Sequence, residues 1–261
     1  MRYPLAAASL AALVLLVLPA SAQVPGDALR VDPDKAGAAS HVLLDVRSSE
    51  DPQANGESPQ QAFINFAAGA KFDPNARAAT CSAAQAKEFN CPADSKIGDG
   101  TADATVTTDT GVFVQNVQAD VQIFLGPPQQ SGDVGAVVAQ FREPQSNQRG
   151  TTTGRIVKVA APYGLGLRFE DLSSAAAAPQ GFRVKVNRLR TDVGAFRIVK
   201  KKAYKTVRRN GKKRKVKYYK KVRVDLIRNP KSCSGSWPYQ VRLVYPGGRE
   251  SVRDGTIGCT P

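Results

Sequence analysis

Short stretches rich in β-branched and aromatic residues recur along most of the chain, and Gly, Pro, Asp or Asn separate them. Many of them alternate apolar and polar positions with a period of two, whereas helical periodicity is almost absent. The predicted strands are residues 41–47, 63–66, 101–108, 112–125, 134–142, 151–160, 165–170, 182–189 and 195–202. Regularly spaced short strands predict an all-β fold, in the form of a β-sandwich or jelly-roll-like domain.

One short segment departs from this pattern and predicts a helix. Residues 82–88 are rich in alanine and begin with Ser82, which can cap a helix N-terminus. The segment is too short to be stable alone, so we expect the flanking Cys81 and Cys91 to hold it. The alanines of residues 173–179 are interpreted as a loop, with a short helix as the alternative.

The N-terminal segment is typical of an export signal. Residues 1–22 combine Arg2, an apolar stretch over residues 5–18 and a small-x-small cleavage pattern ending at Ala22. The apolar stretch is shorter than the roughly 20 residues of a membrane span, although an uncleaved anchor is the alternative. We therefore predict a cleaved signal peptide, a polar segment over residues 23–40 and one β-rich domain over residues 41–261, secreted or held in the cell envelope.

Four cysteines fit two structural disulfides in an oxidising compartment. Of the three possible connectivities we favour local pairs, Cys81 with Cys91 and Cys233 with Cys259, the latter closing strands within residues 229–261. Thiol chemistry or zinc is the alternative, but a zinc site needs a C-x-x-C pair or a nearby His. The sequence has no such pair, and His41, its single histidine, lies far upstream.

The charge of the chain is concentrated in one segment. The 261 residues include 37 Lys and Arg against 22 Asp and Glu, a formal net charge of +15. Residues 200–223 contain 14 cations and no acid, and without Arg2 the other 22 cations balance the 22 acids. The cations of this segment are Lys200, Lys201, Lys202, Lys205, Arg208, Arg209, Lys212, Lys213, Arg214, Lys215, Lys217, Lys220, Lys221 and Arg223. Charge concentrated in one segment indicates a binding site rather than a general contribution to solubility.

Residues 196–226 predict a long basic β-hairpin that protrudes into solvent. Asn210-Gly211 is a strong turn signal. Most apolar residues of both arms have even numbers, so for them to share a face the connection must have an odd length, such as three residues with a glycine bulge. We expect the root of the hairpin to join the core sheet.

This hairpin is the candidate binding site. Tyr204, Tyr218 and Tyr219 offer aromatic faces beside the cations, suited to sugars or phosphate polymers. The predicted partner is an anionic cell-wall or extracellular polymer: teichoic acid, acidic polysaccharide or extracellular nucleic acid, with an anionic membrane surface also compatible. The competing interpretation is a solvated edge whose lysines prevent strand-to-strand aggregation, in a structural surface or assembly protein.

Motifs for catalysis and metal binding are missing, so no catalytic residue, metal ligand or cofactor is predicted. The sequence has no G-x-S-x-G, S-x-x-K, H-E-x-x-H, P-loop or G-x-G-x-x-G motif. Residues 98–103 with Asp109 resemble a calcium loop only loosely, and His41 is interpreted as structural. A secreted polysaccharide-degrading enzyme is a third hypothesis, because a carboxylate pair can be remote in sequence. Its candidates are Asp45, Glu143, Glu170 and Asp171.

Two cysteine motifs carry a resemblance to a group of proteins. Cys81 is followed by a C-P-x-x-S-x-I-G segment from Cys91 to Gly98, and an N-P-x-x-C segment from Asn229 to Cys233 precedes Trp237 and Cys259. Over about half its length the chain is similar to uncharacterised secreted actinobacterial β-rich proteins. The resemblance implies an exported bacterial β-protein with two disulfides, and it supplies no catalytic residue.

Overall fold

The fold was analysed in a computed structural model, which describes residues 28–172, 178, 180–209 and 212–261. Almost all regular structure is antiparallel β, with one helix, α1 (Ala83–Lys87), among the described residues. The strands are β1 (Ala28–Asp32), β2 (His41–Arg47), β3 (Gln61–Ala67), β4 (Lys71–Phe72), β5 (Lys96–Thr108), β6 (Phe113–Gly126), β7 (Gly135–Arg142), β8 (Arg149–Lys158), β9 (Tyr163–Phe169), β10 (Phe182–Val193), β11 (Phe196–Arg209), β12 (Lys212–Asp225), β13 (Ile227–Arg228), β14 (Ser236–Val244) and β15 (Glu250–Gly258).

Eleven strands form one nearly closed antiparallel sheet in the order β1-β2-β10-β5-β6-β7-β8-β9-β3-β14-β15. The two edge strands, β1 and β15, contact each other. Just beyond them, the amide of Ala36 donates to the carbonyl of Thr260 (2.8 Å), and the amide of Thr260 donates to that of Asp34 (3.1 Å). These bonds bring the edges together, so the sheet has an inner and an outer surface.

The inner surface is apolar because one side of each strand is apolar. On β14, for example, Trp237, Tyr239, Val241 and Leu243 are buried at alternate positions. The buried residues form two main clusters. One includes Ile97, Leu125 and Ile156, and the other includes Leu29, Ile64 and Val241.

The expectation of an all-β protein with two disulfides is confirmed. Cys81 pairs with Cys91 and Cys233 with Cys259, with Cα–Cα distances of 5.0 and 5.9 Å. The two stacked sheets of a sandwich or jelly roll are not confirmed, because the core strands belong to one continuous sheet. The segment expected to be a polar lead over residues 23–40 contains β1, whose Leu29 is buried against the second cluster.

The predicted helix is also confirmed. Ser82 Oγ accepts the amide of Gln85, and the Gln85 side chain accepts the amide of Ser82, which together form a capping box. Ala86 packs in a small cluster with Cys81, Phe124 and Val138. The disulfide and this packing hold a helix that its length alone would not stabilise.

Two predictions, the signal peptide and the alanine-rich loop, concern residues that the structure does not describe. Residues 1–27, which include the predicted signal peptide, and residues 173–177 and 179 lie outside the described residues. No helix within the described ranges is long and apolar enough to cross a membrane.

Candidate functional site

The candidate site is built on β11 and β12, which pair with each other as a separate two-stranded sheet, here called the ribbon. Its root was expected to join the core sheet, and this is wrong at the level of hydrogen-bonded strands. The root instead contributes side chains: Val224 and Leu226 are buried in the first cluster, and Val199 packs against it. Side-chain packing therefore holds the ribbon against the core, together with a hydrogen bond from Arg197 Nη1 to the Arg77 carbonyl (3.3 Å).

The pairing register of the ribbon differs from the expectation. Phe196 pairs with Asp225, Val199 with Val222 and Arg209 with Lys212, so every pair joins an even to an odd position. The strands end two residues apart in sequence, and Asn210 and Gly211 between them lie outside the described residues. Because an even-length connection shifts the register by one, the even-numbered apolar residues of the two arms lie on opposite faces.

One face of the ribbon, here called the cationic face, carries eight of the fourteen cations of residues 200–223. Alternation along the strands groups even positions of β11 with odd positions of β12. Its members are Lys200, Lys202, Tyr204, Arg208, Lys213, Lys215, Lys217, Tyr219, Lys221 and Arg223. Tyr204 and Tyr219 are 60% and 59% exposed, so their rings are available to a ligand.

The opposite face, here called the mixed face, alternates cations with small apolar groups. Its basic members are Arg197, Lys201, Lys205, Lys212, Arg214 and Lys220, its apolar members are Val199, Ala203, Val207, Val216, Val222 and Val224, and Tyr218 lies among them. The side chain of Arg209, the remaining predicted cation, lies outside the described part of the chain. The three predicted tyrosines are thus divided, with Tyr218 apart from the other two.

A buried carboxylate anchors the ribbon at its root. Asp225, of which 2% of the side chain is exposed, accepts hydrogen bonds from Arg223 Nε and Arg228 Nη2, each at 2.5 Å. The guanidinium of Arg223 also lies 4.0 Å from the ring centroid of Phe196. Arg223 is therefore occupied by the protein itself and is the weakest candidate among the predicted anion ligands.

The other described cations of the ribbon have no acidic partner among the residues of known placement. Their aromatic contacts are local: Lys202 lies 5.5 Å from the Tyr204 ring, Lys217 5.2 Å from Tyr219, and Lys205 5.9 Å from Tyr218. These contacts align ammonium groups with ring faces but leave their charge unneutralised.

Several pairs of the ladder oppose like charges directly. Lys200 faces Lys221, Lys201 faces Lys220, and Arg208 faces Lys213. Like charges at opposite positions destabilise a strand pair, so an anion that binds across both strands would relieve this repulsion.

A cleft of about 420 Å³ lies beside the root of the ribbon. Arg197, Lys200 and Lys201 line one side, and the other is lined by Asn75 of a short 3-10 turn (Pro74–Ala76) and by Asp73, which caps this turn. The Asp73 carboxylate accepts the amide of Asn75 at 2.9 Å. The cleft joins the cations of the root to a polar wall of the main body.

The alternative site residues are dispersed, and the structure gives each a separate role. His41 Nδ1 lies 2.8 Å from an Asp192 oxygen on the neighbouring strand. Residues 98–103, the loose calcium-loop match, lie within β5 rather than in a loop. Asp171 accepts a hydrogen bond from Thr152 Oγ1 through its backbone carbonyl.

The remaining carboxylate candidates are bound by other groups. A hydrogen bond from Arg188 lowers the pKa of Asp45, and one from the Ser146 hydroxyl lowers the pKa of Glu143. Glu170 accepts from Arg155 Nη1 at 2.9 Å. A glycosidase acid needs a raised pKa, so Asp45 and Glu143 do not have the property required for that role.

Asp225 and Arg228, which anchor the ribbon, were not predicted from the sequence, because they lie outside the basic segment of residues 200–223. Asp225, the first acid after the basic residues 200–223, was the available signal. Comparison with protein-family models, curated proteins and solved structures finds no match to this chain.

Proposed function

We propose that the protein is an exported, non-enzymatic module of the cell envelope or extracellular space that binds an anionic polymer on the cationic face of the ribbon. The two disulfides are typical of an oxidising, extracellular environment. The candidate polymers are teichoic acid, acidic polysaccharide and extracellular nucleic acid, because each repeats negative charge along a flexible backbone.

The proposal of polymer binding rests on a set of cations without acidic partners that share one extended surface. Seven of the cationic-face residues, Arg223 excepted, form no ion pair with a described acid, and the exposed rings of Tyr204 and Tyr219 lie among them. Strand residues rise about 3.3 Å each, so side chains on one face repeat about every 6.6 Å. This periodic row of cations suits a polymer better than a single small anion.

The test is binding of the full chain to teichoic acid, heparin-like polysaccharide and duplex DNA over a range of salt concentrations. Affinity is expected to fall steeply as salt rises, since counterions are released when phosphates or sulfates are neutralised. Undetectable binding to all three polymers at low salt would refute the proposal. That result would favour the alternative, a structural surface or assembly protein whose basic residues only protect an exposed strand edge.

A deletion separates these two roles. Removing residues 203–217 should abolish polymer binding, while a protein that assembles through its other edges should keep its sedimentation behaviour. If polymer binding persists after the deletion, the site lies elsewhere and the proposal is wrong.

A further inference from the structure

The nearly closed sheet encloses an apolar cavity of about 240 Å³. Its wall is formed by inward-facing side chains from strands around the sheet, including Leu44, Ile64, Val121, Ile156 and Leu167. Protein interiors are normally packed without such voids, and cavity surfaces forfeit dispersion contacts. A space of this size in the centre of the core therefore requires an explanation.

The cavity is lined by residues of both core clusters. Val121 and Ile156 belong to the first, and Ile64 and Val241 to the second, while Leu167 packs against both. Inward-facing residues such as Leu44 and Leu189 are only partly buried. The wall thus keeps apolar surface that is not covered by protein.

Several polar groups in the wall have hydrogen-bond partners. Thr152 Oγ1 donates to the carbonyl of Asp171 at 2.7 Å, Ser58 Oγ accepts the amide of Val186 at 2.8 Å, and the Ser48 hydroxyl donates to the Val186 carbonyl. Asn229 Nδ2 donates to the carbonyls of Pro33 and Lys35. The wall therefore favours an apolar occupant, as an engineered apolar cavity of about 150 Å³ binds benzene and stays dry.

One end of the cavity carries positive charge. Lys71 of β4 and Arg228 of β13 pair with each other in the ladder, line the cavity and are exposed, so the cavity reaches the surface there. Arg228 is bound to Asp225, whereas no acid pairs with Lys71 in the described ranges. An ammonium group at the mouth of an apolar cavity favours a ligand with an anionic end.

We propose that this cavity binds a single alkyl chain with an anionic end group, in the manner of a medium-chain fatty acid. The chain occupies the space between Leu44, Ile156 and Leu167, and the end group lies near Lys71. This inference is independent of polymer binding, because no residue of the cationic face lines the cavity.

The test uses the neutral fluorescent probe N-phenyl-1-naphthylamine with decanoate and decanol as competitors, on the full chain. We expect one probe molecule per chain, displacement by both competitors, and a higher thermal midpoint in decanoate, since a ligand of the folded state stabilises it. Absence of probe binding and of any decanoate shift would overturn the proposal.

Adjacent leucines of β2 provide a matched pair of variants. Leu44 lines the cavity, whereas Leu43 is 36% exposed and is not part of its wall. Leu44→Phe should weaken probe and decanoate binding at least tenfold, and Leu43→Phe should leave both unchanged. If Leu44→Phe does not fold, Ala139→Val replaces it in the test, because it adds a smaller volume to the same cavity wall. Equal effects of Leu43→Phe and Leu44→Phe would contradict the proposed position.

Two further variants test the end group and the independence of the site. Lys71→Gln should weaken decanoate severalfold without affecting decanol, and equal effects on both would refute the anionic end. A triple variant of the cationic face, Lys213→Gln, Lys215→Gln and Lys217→Gln, should bind decanoate normally. A loss of decanoate binding in this variant would place the ligand on the ribbon instead.

Discussion

At the scale of single residues, a buried electrostatic network lies away from the ribbon, at Asp51. Its Oδ2 accepts the hydroxyl of Tyr245 (2.8 Å) and Arg253 Nη2 (2.6 Å), and its Oδ1 accepts the amide of Gln53 (2.9 Å). Burial alone would raise the pKa of this carboxyl, but the hydrogen bonds outweigh burial and lower it. The charged form is therefore part of the folded state.

Asp51→Asn should lower the free energy of unfolding by about 3 kcal/mol at pH 7, since it removes the carboxylate charge that the buried guanidinium of Arg253 contacts at 2.6 Å. Because the folded pKa lies below the ordinary 3.8, the stabilisation is full above that value and is lost as pH falls through the folded pKa. Denaturant unfolding of wild type and variant at pH 7 and near pH 3 measures this difference.

The control for this prediction is Asp109→Asn, which removes an exposed carboxylate paired with Arg183 at 3.7 Å. Exposed pairs contribute little, so its effect should stay below about 1 kcal/mol at either pH. A constant difference between wild type and Asp51→Asn from pH 7 to pH 3 would contradict the role given to the charged carboxylate.

The Asp51 network illustrates what a single sequence can and cannot supply at this scale. The Pro and Asn content of residues 51–59 indicates a loop, and Asp51 does cap a 3-10 turn, Pro52–Ala54. Its partners Tyr245 and Arg253, however, are 194 and 202 positions away. No local pattern encodes such a contact, because it depends on which strands become neighbours.

At the scale of elements, the ribbon shows how one residue of register changes a site. Its strands and their charge follow from composition and the Asn-Gly signal, but the face on which each side chain lies depends on the length of the connection. The predicted odd-length loop would have grouped the apolar residues on one face. The observed register puts Tyr204 and Tyr219 among the lysines of the cationic face and Tyr218 on the mixed face.

Because of this register, two triple variants that remove the same number of cations are expected to differ in the salt dependence of polymer binding. Lys213→Gln, Lys215→Gln and Lys217→Gln remove cations from the cationic face, and Lys201→Gln, Lys205→Gln and Lys220→Gln remove as many from the mixed face. For duplex DNA, the first variant should reduce the slope of log affinity against log salt by about 2 to 3, at about 0.9 per phosphate contact.

The mixed-face variant should change that slope by less than about 1, since its lysines point away from the bound polymer. Isothermal titration at several salt concentrations measures both slopes. Equal slopes for the two variants would mean that total charge, rather than one face, determines binding, and the proposed interface would then be wrong.

At the scale of the whole molecule, the closure of the sheet is the property that sequence patterns did not reveal. Period-two alternation located strands well, since His41–Arg47 matches its prediction and β5 to β10 overlap theirs. Strand order is another matter: β3 lies between β9 and β14, and β2 lies beside β10. Alternation of apolar and polar residues shows that a strand has one apolar face, but it does not show which strand pairs with its edge. The closed sheet and its cavity therefore could not be predicted from the sequence.

The two disulfides should differ in what they hold together. Cys81–Cys91 closes a loop around α1, whereas Cys233–Cys259 is followed directly by Thr260, which bonds to Asp34 and Ala36 beside β1. From chain entropy alone, replacing both cysteines by serine should cost about 2.7 kcal/mol for the first bridge and about 3.5 kcal/mol for the second. Total stability therefore separates them only weakly.

Hydrogen exchange separates them strongly. Without the Cys233–Cys259 bridge, the amides of Ala36 and Thr260 should lose protection first, because the covalent tie next to the edge bonds is gone while the rest of the ladder stays paired. Without Cys81–Cys91, those two amides should change only with global stability, and the amide of Ala86 should lose protection instead. If both variants exposed the same amides, the late disulfide would not be what secures the closure of the sheet.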